Sequence, residues 1–541
     1  MNRPKPNTEQ LSHKTLTRIE PGQLRPQLLE GMPLQFFKEQ HVIPIVRADG
    51  RPAVVTADPA NIEAIDAVLG LLAGKAEAEG RQFSASDCEI LVCNKDEIED
   101  AISHCYYNQA DSRLEELVSE GQRRADSAGL QAEPAKAEDL LDIADHAPAI
   151  RLAKMLLYKA IQGRASDVHI EPTDEGARVR FRIDGVLHEV TSVPRAQVAA
   201  LLSRLKIMAN LNIAERRLPQ DGQTRIKIGK DLVDIRVSTI PTVDGERMVL
   251  RLLDKGRGRL ALSQLGLDQG LLETFRQLIR MPHGIILLTG PTGSGKTTTL
   301  YALLSELDCT RQNILTVEDP VEYHIPGVGQ MQVKPKIGLT FATALRHILR
   351  QDPDVLMIGE IRDAETAKIA IQASLTGHLV LSTLHTNDAA SAVTRLVDMG
   401  IEPYLISSSV VASLAQRLVR VICPNCKQVD NDPALMACLR NWPELEGQQL
   451  TFYKGVGCQE CMHTGYLGRT GIFELMIMDD QIRDLITSGS HAQVIRQAAV
   501  AKGMTMLRSA GLAKAKEGIT TIEEVCRVTQ DLIFTNPGAI G

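Results

Sequence analysis

The sequence predicts an α/β protein of several domains, and three observations predict it. An apolar, β-branched run of strand length, Gly284–Thr289, passes through a glycine-rich turn into the helix-like stretch Thr298–Leu304. Further apolar strands, Asn313–Val317 and Asp354–Ile358, alternate with helical segments, as in a parallel sheet covered on both faces. Between residues 177 and 253 there are alternating strands, a hairpin turn at Asp184-Gly185 and helical periodicity, which predict a separate αβ domain.

Totals narrow the class. A chain of 541 residues is long enough for several cores, and 44% hydrophobic with 23% charged residues is ordinary for a globular protein. One Trp, 8 Tyr and 9 Phe leave little aromatic surface for stacking bases, and a net charge of −7 argues against direct nucleic-acid binding. No apolar run approaches the roughly 18–20 residues of a membrane span. The N-terminal residues carry no apolar signal segment. The expectation is a cytoplasmic protein that meets a membrane only through partners. Ten cysteines in such a compartment predict metal ligands or free thiols rather than disulfides.

Residues 1–110 read as a small N-terminal αβ docking domain, with its first 30 residues polar and poorly ordered. Within it, Phe36–Gln40 is helical, His41–Val46 and Pro52–Thr56 are strands, Asp58 caps a helix through Leu72 with Pro59 as its first residue, Glu89–Cys93 is a strand and Lys95–Tyr107 a helix. Cys88, Cys93 and Cys105 fit buried thiols. Residues 111–147 form a charged linker. A second αβ domain spans 148–253, with strands at Ala177–Ile183, Gln223–Ile228, Leu232–Val237 and Glu246–Leu253 and a helix at Val198–Met208. Its strands carry Arg178, Arg180, Arg182, Arg236, Arg247 and Arg251. The first three share one strand face, which suits a solvated surface singly and an anion-facing cluster collectively. Residues 254–282 lead into the next domain through the glycine-rich hinge 254–259.

The core, 283–415, holds the chemistry. Gly290-Pro291-Thr292-Gly293-Ser294-Gly295-Lys296-Thr297 fits the phosphate-binding loop in its proper strand–turn–helix setting. Glycines let backbone N–H groups converge on phosphate oxygens at a helix N-terminus, where Thr298 follows. Lys296 is placed to reach the β- and γ-phosphates and Thr297 to hold Mg²⁺, so the nucleotide is expected to be ATP. A carboxylate at the end of a neighbouring strand would bind Mg²⁺ or orient water, and two strands offer one: Glu318 and Glu360. Gly359 precedes Glu360 where an Asp is usual, leaving Glu360 to serve alone or with Glu318. His378 and His385 flank the apolar run Leu379–Leu384; for His378 a structural role and a functional one are equally open, whereas Thr383 and Asn387 favour a functional His385.

Residues 416–475 contain Cys423-Pro424-Asn425-Cys426 and Cys458-Gln459-Glu460-Cys461, two C-x-x-C pairs separated by 31 residues. Two such knuckles predict one tetrahedral four-thiolate Zn²⁺ site of structural type. Cys309, Cys438 and Cys526 fall outside this pattern. Residues 476–541 read as helices, the last opened by a capping box from Thr520 to Glu523.

From about 148 to 535 the sequence resembles the bacterial secretion ATPase family, which includes the type II secretion ATPase and relatives that extend type IV pili. The carrying blocks are Gly163–Pro172, Arg182–Gly185, the phosphate loop, Val317–Glu322, Leu349–Asp354 through Gly359–Asp363, Gly377–Asn387 and the four cysteines. The resemblance implies a RecA-like core, a PAS-like second domain, a ring-shaped homo-hexamer and nucleotide held between domains at a subunit boundary. It implies trans-acting arginines, which it assigns to Arg236 and Arg251, and makes the Gly359-Glu360 pair the family's own pattern. The implied function is ATP hydrolysis that drives pseudopilus assembly and protein export, with inner-membrane platform proteins as partners of the N-terminal domain. Gln372–Thr376 and Leu418–Cys423 look closer to the secretion branch than to pilus extension. A nucleic-acid translocase and an inactive ATP-sensing scaffold are the other readings; the charge opposes the first, and an intact Lys296 with Glu360 the second.

Overall fold

The structure, a computed structural model, describes residues 14–107, 148–254, 260–432 and 451–529, apart from 30–31, 33, 48, 79–82, 84–87, 229–230 and 431. The expected linker 111–147, the hinge residues 255–259 and Cys438 lie outside the described residues. The chain divides into two compact units, Met1–Lys255 and Gly256–Gly541. Among the described residues no helix is long and apolar enough to cross a membrane.

The first unit contains two sheets. β1 (Lys14–Thr15), β2 (Val42–Val46), β3 (Pro52–Thr56) and β4 (Glu89–Val92) order as β1-β4-β3-β2. The helices Ile62–Ala78 and Lys95–Tyr107 close a core of Phe37, Val54, Val68, Ile98 and Ile102. The expected cap moves. Asp58-Pro59 forms a turn and the helix starts at Ile62, because Asn61 accepts the backbone N–H of Ala64 at 3.2 Å and so occupies the cap position.

The second sheet is antiparallel throughout. It comprises β5 (Ala165–Thr173), β6 (Gly176–Ile183), β7 (Val186–Pro194), β8 (Gln220–Ile228), β9 (Asp231–Thr242) and β10 (Gly245–Asp254), ordered β7-β6-β5-β10-β9-β8. Asp184 and Gly185 both adopt positive φ, 49° and 89°, which matches the right-handed twist of the β6–β7 hairpin. Strand alternation sends Val168, Ile170, Val179, Phe181, Ile235, Val237, Met248 and Leu250 into the core beneath the helices Pro148–Gln162 and Arg195–Met208. The opposite face is an ionic lattice with two buried carboxylates at its centre. Glu171 accepts from Arg180 at 2.6 Å and Arg247 at 2.7 Å, and Asp167 accepts from Arg251 at 2.9 Å.

The second unit is organised by a seven-stranded sheet: β11 (Gly284–Thr289), β12 (Ile314–Glu318), β13 (Gly329–Gln332), β14 (Val355–Ile358), β15 (Leu379–Leu384), β16 (Val410–Ile422) and, after the ribbon β17 (Lys427–Asp430) and β18 (Phe452–Gly455), β19 (Tyr466–Ile477). Their order is β13-β12-β14-β15-β11-β16-β19, with only β19 antiparallel. Helices cover both faces, with Phe275, Leu300 and Leu303 on one side and Leu345, Ile371 and Val393 on the other, so every residue of β11 is buried. The expected boundaries at 415 and 475 fall inside β16 and β19, which join the core sheet and flank the cysteine pairs.

Four helices end the described chain, from Asp480–Thr487 to Ile522–Thr529. The final cap lies one residue beyond the expected box. Thr521 accepts the backbone N–H of Glu524 at 3.3 Å, while Glu524 turns away to Arg420 at 2.6 Å and Arg527 at 2.7 Å. Charge pairing outcompetes a return bond to the cap.

Candidate functional site

Parallel strands bring their C-terminal ends to one edge, and there the strand ends of β11, β14 and β15 converge. Gly295 caps the helix Lys296–Ser305 in the left-handed conformation, φ 88°. A Cβ on Gly290 would lie 2.6 Å from the Gln416 carbonyl and 2.7 Å from Ser294 Oγ, so only glycine lets β16 approach the loop this closely. Pro291, Thr292, Gly293 and Thr297 are exposed, and Thr298 is half-buried. Ser294 Oγ is buried without a protein partner inside the loop.

Lys296 folds back over the loop and donates to the carbonyls of Gly290 at 2.7 Å and Pro291 at 3.1 Å. Burial, assisted by the neighbouring Arg417 cation and opposed by the Glu360 carboxylate, brings its ammonium down to about 8. Glu360 follows β14, and its backbone is pinned because Gly359 N–H donates to Val317 O at 2.8 Å and Thr383 Oγ1 donates to Gly359 O at 2.7 Å. Burial would raise its carboxyl, but Arg362 at 2.5 Å and His385 Nε2 at 3.2 Å outweigh this and hold it below the usual range. Thr289 and Thr386 hold the ends of β11 and β15 together, since Thr386 N–H donates to Thr289 Oγ1 at 2.9 Å. The site therefore combines a phosphate cradle, an ionised carboxylate and an imidazole.

Four other residues singled out in the sequence, His378 among them with either role open, have the following surroundings. Glu318 is 2% exposed and enclosed by donors: Tyr301 OH, Thr316 Oγ1 at 2.5 Å and Gln330 Nε2 at 3.1 Å. Burial, then the Glu318 charge, drives the Tyr301 phenol up. Arg236 and Arg251 belong to the first unit, face each other across β9 and β10, and line a concavity of about 610 Å³ with Asp221, Gln223 and Ser238. His378 Nδ1–H donates to Ala373 O at 2.8 Å, with Thr376 Oγ1 3.2 Å away, which ties the ring to a helix end.

Sequence reasoning missed Arg362, Gln416 and Arg417. Gln416, 2% exposed, donates to Ser294 O at 2.9 Å and accepts from Thr299 Oγ1 at 2.8 Å, clamping the loop from β16. A polar pair, Gln416-Arg417, inside the apolar run of β16 is the signal that marks them.

The four sulfurs of Cys423, Cys426, Cys458 and Cys461 lie within 4.8 Å of one another, and none is in a disulfide. Separations are 3.8 Å (Cys423–Cys458), 3.9 Å (Cys426–Cys461) and 3.7 Å (Cys458–Cys461). A tetrahedron with metal–sulfur bonds of about 2.3 Å has edges of about 3.8 Å, so the set fits a tetrahedral thiophilic ion. The N–H groups of Cys458, 3.2 Å away, and Gly465, 3.3 Å away, donate to Cys461 Sγ and favour its thiolate.

Lys296 makes the site sensitive to pH. Without nucleotide its amine loses a proton above about 8, whereas bound phosphates favour the charged form. The complex then holds more protons than the free protein above that point. Affinity for ADP falls as pH rises through 8, by up to about tenfold per unit, until the bound amine also titrates. Calorimetric titration with ADP from pH 7 to 9.5 checks this, and a flat affinity would rule it out.

Residues 142–527 match the family described as Type II/IV secretion system protein, and residues 13–112 match the MshEN domain. The type II secretion system protein HxcR of Pseudomonas aeruginosa is 52% identical, covering 85% of this chain and 93% of its own. The type II secretion system ATPase E of Vibrio cholerae is 48% identical, covering 86% and 92%. The type IV pilus assembly ATPase PilB of Myxococcus xanthus is 45% identical, covering 93% and 86%. The Legionella pneumophila ATPase DotB shares the fold, with a TM-score of 0.52 at 21% identity, covering 70% of this chain and 95% of its own.

Proposed function

Because this chain belongs to the Type II/IV secretion system protein family, we propose that it is the ATP-hydrolysing motor of a type II secretion system, working as a homo-hexamer to drive pseudopilus assembly and protein export. The observation that carries the reading is the convergence of Lys296, Glu360 and His385 on one edge of the parallel sheet, with Glu360 bonded to His385 at 3.2 Å. Lys296 and the loop N–H groups bind the phosphates. Thr297 would hold Mg²⁺, which would supply positive charge at the transferred phosphoryl group. Glu360 orients the attacking water and His385 reads the γ-phosphate. Arg236 and Arg251 act in trans, supplied by another copy of the chain, and stabilise transition-state charge. Glu318 assists indirectly by fixing Tyr301 and the end of β12. Zn²⁺ fills the four-thiolate cluster. The N-terminal domain, matched as an MshEN domain, docks on an inner-membrane platform protein, so the membrane is met through that partner.

The PilB match over 93% of the chain supports a second reading, extension of a type IV pilus by the same chemistry. Complementation separates the two: the gene restores protein export in a strain lacking its type II secretion ATPase, and restored piliation without export would overturn our preference. At the enzyme level, Glu360→Gln retains ATP binding and loses turnover by roughly 10²-fold or more. Phosphate release by the full chain measures this, and wild-type turnover in the variant would remove Glu360 from the mechanism.

A further inference from the structure

Arg417 is a buried cation beside the phosphate loop that the mechanism above leaves unused. It is 6% exposed on β16, and among the described residues its hydrogen bonds go only to neutral oxygens. Nη1 donates to Gln416 O at 3.0 Å, and Nη2 donates to Asn387 O at 2.8 Å and more weakly to Asn387 Oδ1 at 3.4 Å. The guanidinium also abuts the start of the phosphate loop, since a Cβ on Gly290 would lie 3.1 Å from Nη1. Asn387 closes the segment that carries His385, so one side chain touches both the loop under the phosphates and the segment bearing the imidazole.

Burial and the Lys296 ammonium both act against this charge, and its balancing carboxylates, Glu474 and Asp388, stand further back. Both are already engaged. Glu474 accepts the N–H groups of Ala389 at 2.9 Å and Leu507 at 3.3 Å, and Asp388 caps the helix Ala389–Asp398 and pairs with Arg496. A cation buried without an ion-pair partner is costly, and an arriving polyphosphate offsets that cost. Removing it would therefore weaken the occupied site more than the empty one.

We propose that Arg417 is a positioning residue for ATP hydrolysis, acting as a second positive charge behind Lys296 and as the brace that fixes the phosphate loop against the His385 segment. Charge and brace are separable. Arg417→Lys keeps the charge, but a single ammonium cannot reproduce the guanidinium fork that spans Gln416 O and Asn387 O. Arg417→Gln removes the charge as well.

The inference rests on the ATPase reading. The experiment uses the full chain, with a fluorescent ADP analogue for affinity and phosphate release for turnover. The Gln variant binds the analogue about tenfold more weakly and also loses turnover. The Lys variant binds within about threefold of wild type while its kcat falls about tenfold. Wild-type behaviour of the Gln variant, or loss of affinity in the Lys variant equal to that in Gln, overturns the proposal. If the Gln variant fails to fold, as read by its melting temperature, the Lys variant decides alone: retained affinity with reduced kcat supports the brace, and unchanged kcat refutes it. A wild-type chain that neither binds nor hydrolyses nucleotide would sink the ATPase reading itself, which separates that failure from a failure of Arg417.

Discussion

Lys296→Ala abolishes ATP turnover, by at least roughly 10²–10³-fold, in a chain that remains folded. Both halves follow from the site. The ammonium is the one Lys group that the phosphate loop itself supplies, and it is held over the loop by the carbonyls of Gly290 and Pro291. Its loss removes the charge that would meet the β- and γ-phosphates. The fold loses little, because the amine is desolvated and sits beside the Arg417 cation, a position that burial and charge both disfavour. The Pro291 carbonyl is left to water, and the buried Gly290 carbonyl loses its donor at a cost of about 1–3 kcal/mol, which shifts the melt without collapsing it. Phosphate release and a thermal melt, run together, check the pair of outcomes. Wild-type hydrolysis in the variant would remove the loop from the chemistry, and a collapsed melt would mean that Lys296 holds the fold together.

Cys461→Ser releases metal and unfolds the ribbon β17–β18 with the knuckle turns, while the parallel core stays intact. Metal analysis of the wild-type chain gives about one zinc per protomer. Structural zinc contributes roughly 10–16 kcal/mol of binding free energy in small domains, and the cysteine region has little apolar core to replace it. Around the sulfurs the buried apolar set is the cysteines themselves with Leu467 packed against them, and the ribbon adds one buried anchor, Phe452, against Leu512, Ile522 and Val525. Some anchoring persists, because Ile422 N–H donates to Ile519 O at 2.8 Å and Arg420 pairs with Glu524. Hydrogen exchange therefore rises over 423–430 and 452–465 and not over β11 or β14. A metal-free wild-type chain with the same protection would refute the four-thiolate site.

The sequence made visible what lies close together along the chain. The phosphate loop, the strands around it and the cysteine pairs were legible because each is a local pattern with fixed spacing. The strands that lead to Glu318 and Glu360 were legible as apolar runs, and the helix Lys95–Tyr107 because its periodicity is uninterrupted. What depends on distant partners was not. Glu318 and Glu360 look equivalent at two strand ends, yet Tyr301, Thr316 and Gln330 enclose the first while Arg362 and His385 flank the second. The arginines of the antiparallel sheet read as a solvated face singly and an anion-facing cluster collectively, and only the register of β5 against β6 and β10 puts Asp167 and Glu171 among them. The caps at Asn61 and Thr521 went wrong by one to three residues because several cap-type side chains stood in line and tertiary contacts chose between them.

The strand that touches the phosphate loop also ends in the cysteine knuckle. β16 runs without interruption from the residue that clamps Ser294, through Ile422, to Cys423. Seven extended residues separate these points, about 23 Å. β19 returns beside it in antiparallel register. The pair forms a two-stranded ladder, rooted beside the phosphate loop and tipped by four cysteine sulfurs, so a displacement of the loop and one of the knuckle are expected to be felt at each other's end.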